Sequence, residues 1–194
     1  MRPKSPKSPK DMMQAVTASM HERTGKTLEE WVTLVQASGL DALDQNAVRR
    51  WLKSTHGVLQ NSQWAIADAA ARAAGWTAPT VDEYVAQQYD GAKAALRPVY
   101  DRLQALLTAL GPDVVVEGRA TYIPFVRARQ FVAVAAATRT RVDVGLRYTK
   151  APRSTLLVES AAPGQATHKL SLQTVSDITT EVEQLLRAAY EQNG

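Results

Sequence analysis

The stretch "HERTGKTLEEW", His21 to Trp31, holds Thr-Gly-Lys-Thr, the closing residues of a phosphate-cradling loop. That loop needs an earlier glycine, with four residues between it and Gly25. It also needs a place between a strand and a helix, so that successive backbone N–H groups face the phosphates. The required position is Met20, and Met13, Val16 and Met20 recur at helical spacing. A helical corner accounts for every residue instead. Gly25 ends one helix in a left-handed conformation, and Thr27 caps the next with Glu30 reaching back to it.

Other chemistries find few residues to carry them. The three histidines, His21, His56 and His168, show no metal-binding spacing. His56 precedes Gly57 and reads as a residue at a helix C-terminus, where its charged form is favoured. There is no Gly-x-Ser-x-Gly, and no Gly-x-Gly-x-x-Gly for a dinucleotide, so no cofactor is expected. Asp143 and Glu159 come nearest to a magnesium-dependent nuclease pattern, but Ala161 stands where its lysine belongs. The chain contains no cysteine, which removes disulfides and thiolate chemistry. Nothing gives a positive signal for catalysis.

What remains is charge. The net charge is +4, and Arg2, Lys4, Lys7 and Lys10 sit in a leader without acids. Without those four, the 23 basic residues fall level with the 19 acidic ones. The rest is uneven. Gly111 to Val158 carries eight basic residues against three acids, and the segment from Glu159 onward is acidic. The "SPKSPK" repeat puts a lysine at every third residue of an extended chain, suited to phosphate contact without base reading. Arg127, Arg129, Arg139, Arg141 and Arg147 are interleaved with Tyr122, Phe125, Phe131 and Tyr148, a combination that can grip a nucleic-acid strand by charge and stacking. Tyr122 and Phe131 are also the candidate lining of a small-molecule pocket between sheet and helices. Arg49, Arg50 and Lys53 lie on a helix followed by a short turn, a helix-turn-helix pattern. The next helix, "SQWAIADAAARAAGW", reads as alanine-rich core without base-reading groups, which argues against sequence-specific recognition.

These residues must be positioned by two kinds of element. "MRPKSPKSPK", residues 1–10, is expected to be a disordered basic tail. Residues 11–76 read as a helical domain of four helices. They run from about Met12 to Arg23, from Leu28 to Gly39, from Gln45 to Thr55 with a stop at Gly57, and from near Ser62 to Gly75. Residues 77–90 read as a linker helix opened by a capping box at Thr80 and Glu83. Residues 91–194 read as an α+β domain. It begins with a helix to Leu110, carrying Val99, Leu103, Leu106 and Leu107 on one face, which Pro98 should start or kink. Short β-rich runs follow, among them "TYIPFV", "QFVAVAA" and "RVDVGLRY", and a last helix carries Val182, Leu185, Leu186 and Ala189. The fold class is α+β: a small all-helical part, then an antiparallel sheet flanked by helices.

"RTGKTLEEWVTLVQASGL", "VRRWLKSTHGV" and the run from "LRPVYDRLQALLTALG" to "VDVGLRY" together resemble a bacterial family built of two domains of unknown function. The first of these is helical and opens with the Thr-Gly-Lys-Thr-x-Glu-Glu pattern. The second is α+β and is found beside predicted nucleases, in proteins described as predicted transport proteins. The resemblance implies two domains and a bacterial, intracellular setting. It brings no catalytic residues. No apolar run approaches the ~20 residues that span a bilayer, so no membrane partner is expected and a cytoplasmic location is. The expected function is that of a non-enzymatic accessory protein binding an anionic partner, nucleic acid or another polyanion, through tail and basic sheet. A small-molecule carrier and a scaffold or dimerisation module, with homo-oligomers, are the alternatives.

Overall fold

In a computed structural model, the structure describes residues 16–194, so Lys4, Lys7, Lys10 and the start of the first expected helix lie outside the described residues. The chain divides into two compact units between Ala78 and Pro79.

The helical unit contains α1 (Met20–Thr24), α2 (Leu28–Ala37), α3 (Gln45–His56) and α4 (Gln60–Ala73). The corner at Gly25 forms as its residues dictate. Gly25 has φ 74° and closes α1. The Thr27 N–H donates to Glu30 Oε2 at 2.7 Å, and the Glu30 N–H donates to Thr27 Oγ1 at 3.2 Å. The Thr24 hydroxyl donates to the Met20 carbonyl at 2.8 Å and accepts from Trp31 Nε1 at 2.8 Å, tying α1 to α2. Thr-Gly-Lys-Thr is therefore a helix junction whose groups already serve one another. Trp31, Val35, Val48, Leu52, Val58 and Ile66 form the core of this unit, with Ala65, Ala67 and Ala70 of α4 letting neighbours approach closely.

The second unit opens with α5 (Val81–Gln88), capped by the expected Thr80–Glu83 box, and Val85 joins this unit's core. The helix expected to run on to Leu110 is interrupted. A 3-10 turn spans Gly91–Leu96, and α6 (Arg97–Thr108) starts with Pro98 in its first turn, where the missing N–H costs no hydrogen bond. Six antiparallel strands follow: β1 (Val115–Val116), β2 (Ile123–Val126), β3 (Gln130–Ala136), β4 (Val142–Leu146), β5 (Val158–Glu159) and β6 (His168–Leu172). Their spatial order is β1-β2-β3-β4-β6-β5, and α7 (Thr180–Glu191) ends the chain.

One sheet face carries Ile123, Phe125, Val132, Val134, Val144, Leu146, Leu170 and Leu172, and packs on Val99, Leu103 and Leu107 of α6 and on Val182, Leu185 and Leu186 of α7. Each fully buried leucine contributes ~1.5–3 kcal/mol. Tyr148 lies on the same face, with its hydroxyl donating to the Leu185 carbonyl at 2.9 Å. The other face holds the rows Pro124–Ala133–Gly145–Lys169 and Ala135–Asp143–Ser171. The segment 160–166 crosses it so closely that a Cβ on Gly145 would lie 2.5 Å from the Pro163 carbonyl oxygen and 3.0 Å from Ala166 Cβ. No helix among the described residues is long and apolar enough to cross a membrane.

Replacing Gly145 with alanine must push that crossing segment off the sheet, and we expect a loss of ~1–3 kcal/mol, read as a lower midpoint in thermal denaturation. A second expectation concerns acid. Hydrogen bonds from Tyr190 and then Arg127 hold the Asp113 carboxyl below its ordinary value of 3.8. Backbone N–H groups of Gln173 and Thr174 do the same for Asp177. A depressed carboxylate adds stability above its unfolded pKa and loses it as the pH falls through the folded one. Urea midpoints should therefore drop below pH 3.8, and Asp113→Asn should drop less over that interval.

Candidate nucleic-acid interface

The arginines of the sheet are not gathered. Arg129 lies in the turn between β2 and β3, and Arg139 in the turn between β3 and β4, both exposed. These turns stand at opposite ends of β3, whose seven residues hold them roughly 20 Å apart at strand spacing. Arg127 is a structural bracket. Its Nε pairs with Asp113 Oδ2 at 2.7 Å, its Nη1 donates to the Tyr190 carbonyl at 2.9 Å, and its guanidinium lies 3.9 Å from the Tyr190 ring centre. Tyr190 closes the knot by donating to Asp113 Oδ1 at 2.8 Å. The Nε of Arg141 lies 2.9 Å from Asp143 Oδ1, an ion contact without hydrogen-bond alignment. Lys169 and Ser171 complete the surroundings of that buried carboxylate at 3.1 and 2.9 Å. Arg147 donates to Gln165 at 2.6 Å. Free cationic surface on the sheet thus reduces to separated turns.

The expected pocket lining also separates. Phe131 is fully buried, its ring 5.6 Å from that of Tyr190, and Tyr122 is half-buried. Strict alternation would send Phe131 and Val132 to opposite faces. The pairing of β2 with β3 shifts between Phe125 and Val126, leaving Phe131 as the extra residue of a bulge. Both side chains consequently enter the core. Tyr89 and Tyr100 bury their hydroxyls without a hydrogen-bond partner among the described residues. Desolvation pushes the Tyr100 hydroxyl up to about 12 and raises Tyr89 as well, so both stay neutral.

A denser cationic group sits in the helical unit. α3 carries Arg49, Arg50 and Lys53 and no acid, and none of the three has an ion pair among the described residues. They line an open cleft of about 640 Å³ together with Asn46, Leu59, Gln60 and Gln63. The turn between α3 and α4 is three residues long. Gly57, at φ 62°, reverses the chain with its N–H on the Lys53 carbonyl at 3.1 Å. The Val58 N–H bonds the Leu52 carbonyl at 3.1 Å while its side chain plugs the core. The buried Gln63 amide donates to the Val58 carbonyl at 2.5 Å and holds the turn from the other side. The His56 ring rests edge-on against Trp51 and Trp31, with centroids 4.5 and 5.2 Å away.

The helix after this turn begins earlier than its pattern suggests. α4 starts at Gln60, not Ser62, because Val58 is the last residue the core demands in the turn. Gln60 and Asn61 therefore stand exposed on the first helical turn, with Trp64 above them at 44% exposure. The alanines that marked this helix as core are its buried face only. Arg49 bridges cleft and ring, with its guanidinium carbon 3.5 Å from the Trp64 ring centre and its Nη1 donating to Asn46 Oδ1 at 3.2 Å. The clue in the sequence was the polar run "QNSQW" directly after Gly57-Val58-Leu59.

Comparison with known proteins follows the same division. A model for a domain of unknown function, DUF4287, matches residues 12–69, and one for a second, DUF5655, matches residues 85–193. No curated protein matches the chain, and no solved structure matches it. With more than half its length in the second match, the chain belongs to the DUF5655 family, domains of unknown function, here preceded by a DUF4287 domain.

Proposed function

We propose that this is a non-enzymatic accessory protein that binds an anionic partner, nucleic acid, with the α3 cleft as its main contact. The observation that carries the reading is that Arg49, Arg50 and Lys53 converge on one concave surface with no ion-paired carboxylate among the described residues. A phosphate backbone is the polyanion whose spacing can engage several cations at once, releasing counterions as it does so. The lysines of the leader and the exposed Arg129 and Arg139 are further cations that add sequence-independent charge to the chain. The sheet arginines 127 and 141 are kept for the fold by their carboxylates.

The test is a fluorescence-anisotropy titration of labelled DNA between about 50 and 200 mM salt. Binding should weaken steeply with salt. The Arg50→Ala/Lys53→Ala double variant should flatten the slope of log K against log salt by about 1.8, two phosphate contacts' worth. An absence of binding at about 50 mM salt, or a slope untouched by the double substitution, would contradict the reading.

A further inference from the structure

We infer that the α3–α4 corner docks on duplex DNA with the first turn of α4 in the major groove, and that Gln60 and Asn61 read base edges there. This rests on the nucleic-acid reading above and goes beyond it, because phosphate contact alone carries no sequence information.

The surface has two kinds of group, each in the place that docking requires. Arg50 and Lys53 of α3 supply charge for the backbone, and Gln60 of α4 lines the same cleft. The backbone contacts and the first base-edge contact are therefore held in one register by a three-residue turn fixed at both ends. Gln60 and Asn61 are exposed, and neither side chain has a hydrogen-bond partner among the described residues. Carboxamides are the side chains whose donor and acceptor pair match adenine in the major groove. A groove about 12 Å wide admits a helix of α4's diameter.

A single strand is the competing occupant, and Trp64 decides against it. An exposed ring invites an unpaired base, yet one face of Trp64 is covered by the Arg49 guanidinium at 3.5 Å. Arg49 is in turn held by Asn46, so stacking there must displace a seated side chain. Gln60 and Asn61 offer amides, and Leu59, exposed at 77%, is aliphatic and gives no ring on which a base can stack. Asp68, the one acid on α4, is neutralised by Arg72 at 2.8 Å.

The experiment is selection by the full chain from a pool of duplexes with about 20 randomised base pairs, enough for more than one helical turn. A single-stranded pool of the same sequences is run in parallel. We expect the duplex pool to yield an enriched motif with adenine at one or two positions. Gln60→Ala and Asn61→Ala should each relax one position and weaken the selected duplex by about 5- to 150-fold, with unselected duplex bound as before. Both residues are exposed, so thermal melts should match those of the parent chain. Duplex binding without enrichment, a motif that survives both substitutions, or tighter binding of the single-stranded pool overturns the inference while leaving nucleic-acid binding standing. No binding of either pool overturns both.

Discussion

Val58 must be buried, and much of the helical unit follows from that demand. It sits one residue after the left-handed Gly57, and its side chain enters the core between α3 and α4 at 6% exposure. With Val58 fixed, α3 has to stop at His56 and α4 has to start at Gln60. The two helices then present adjoining faces, one cationic and one carboxamide, across a short gap. Gln63 makes the arrangement stiff by spending its buried amide on the Val58 carbonyl. An unpaired amide at that depth would cost ~1–3 kcal/mol, so the bond also explains how a polar residue is tolerated there.

In the sheet unit the same economy of side chains works against a binding surface. Arginine suits structural brackets because its planar fork can satisfy several acceptors at once. Arg127 uses that property fully, joining the loop at Asp113 to the last turn of α7. Arg141 and Lys169 serve a buried carboxylate, Asp143. A cation engaged in this way is counted in the sequence charge but is not available to a partner. Regional net charge therefore overstated the sheet and understated α3, whose three cations were diluted by acids elsewhere in the helical unit.

The elements were largely legible because their signals are local. Thr27 and Glu30, or Thr80 and Glu83, specify a capping box within four residues. The alternation of Val142, Val144, Leu146 and Tyr148 specifies the buried face of β4. Phe131 could not be placed this way, since a bulge is a property of two strands and only one of them was in view. Arg127 has the same difficulty, because its acceptor on Tyr190 is 63 residues away. The exposed start of α4 lay between these cases. Its residues were visible, but the alanines that follow dominate the composition and set the start of the helix two residues too late.

The sheet ends on each side in a strand of only two residues, β1 and β5. Val115 and Val158 are exposed there, at 56% and 59%, so the outer rims are not shielded by bulk. Their protection is brevity. An incoming chain would find room for barely one pair of ladder hydrogen bonds before the backbone turns away, too little to offset the entropy of straightening a flexible segment. Growth by adding strands is thereby discouraged at both borders, and on β5 the exposed Glu159 adds a charge beside the valine.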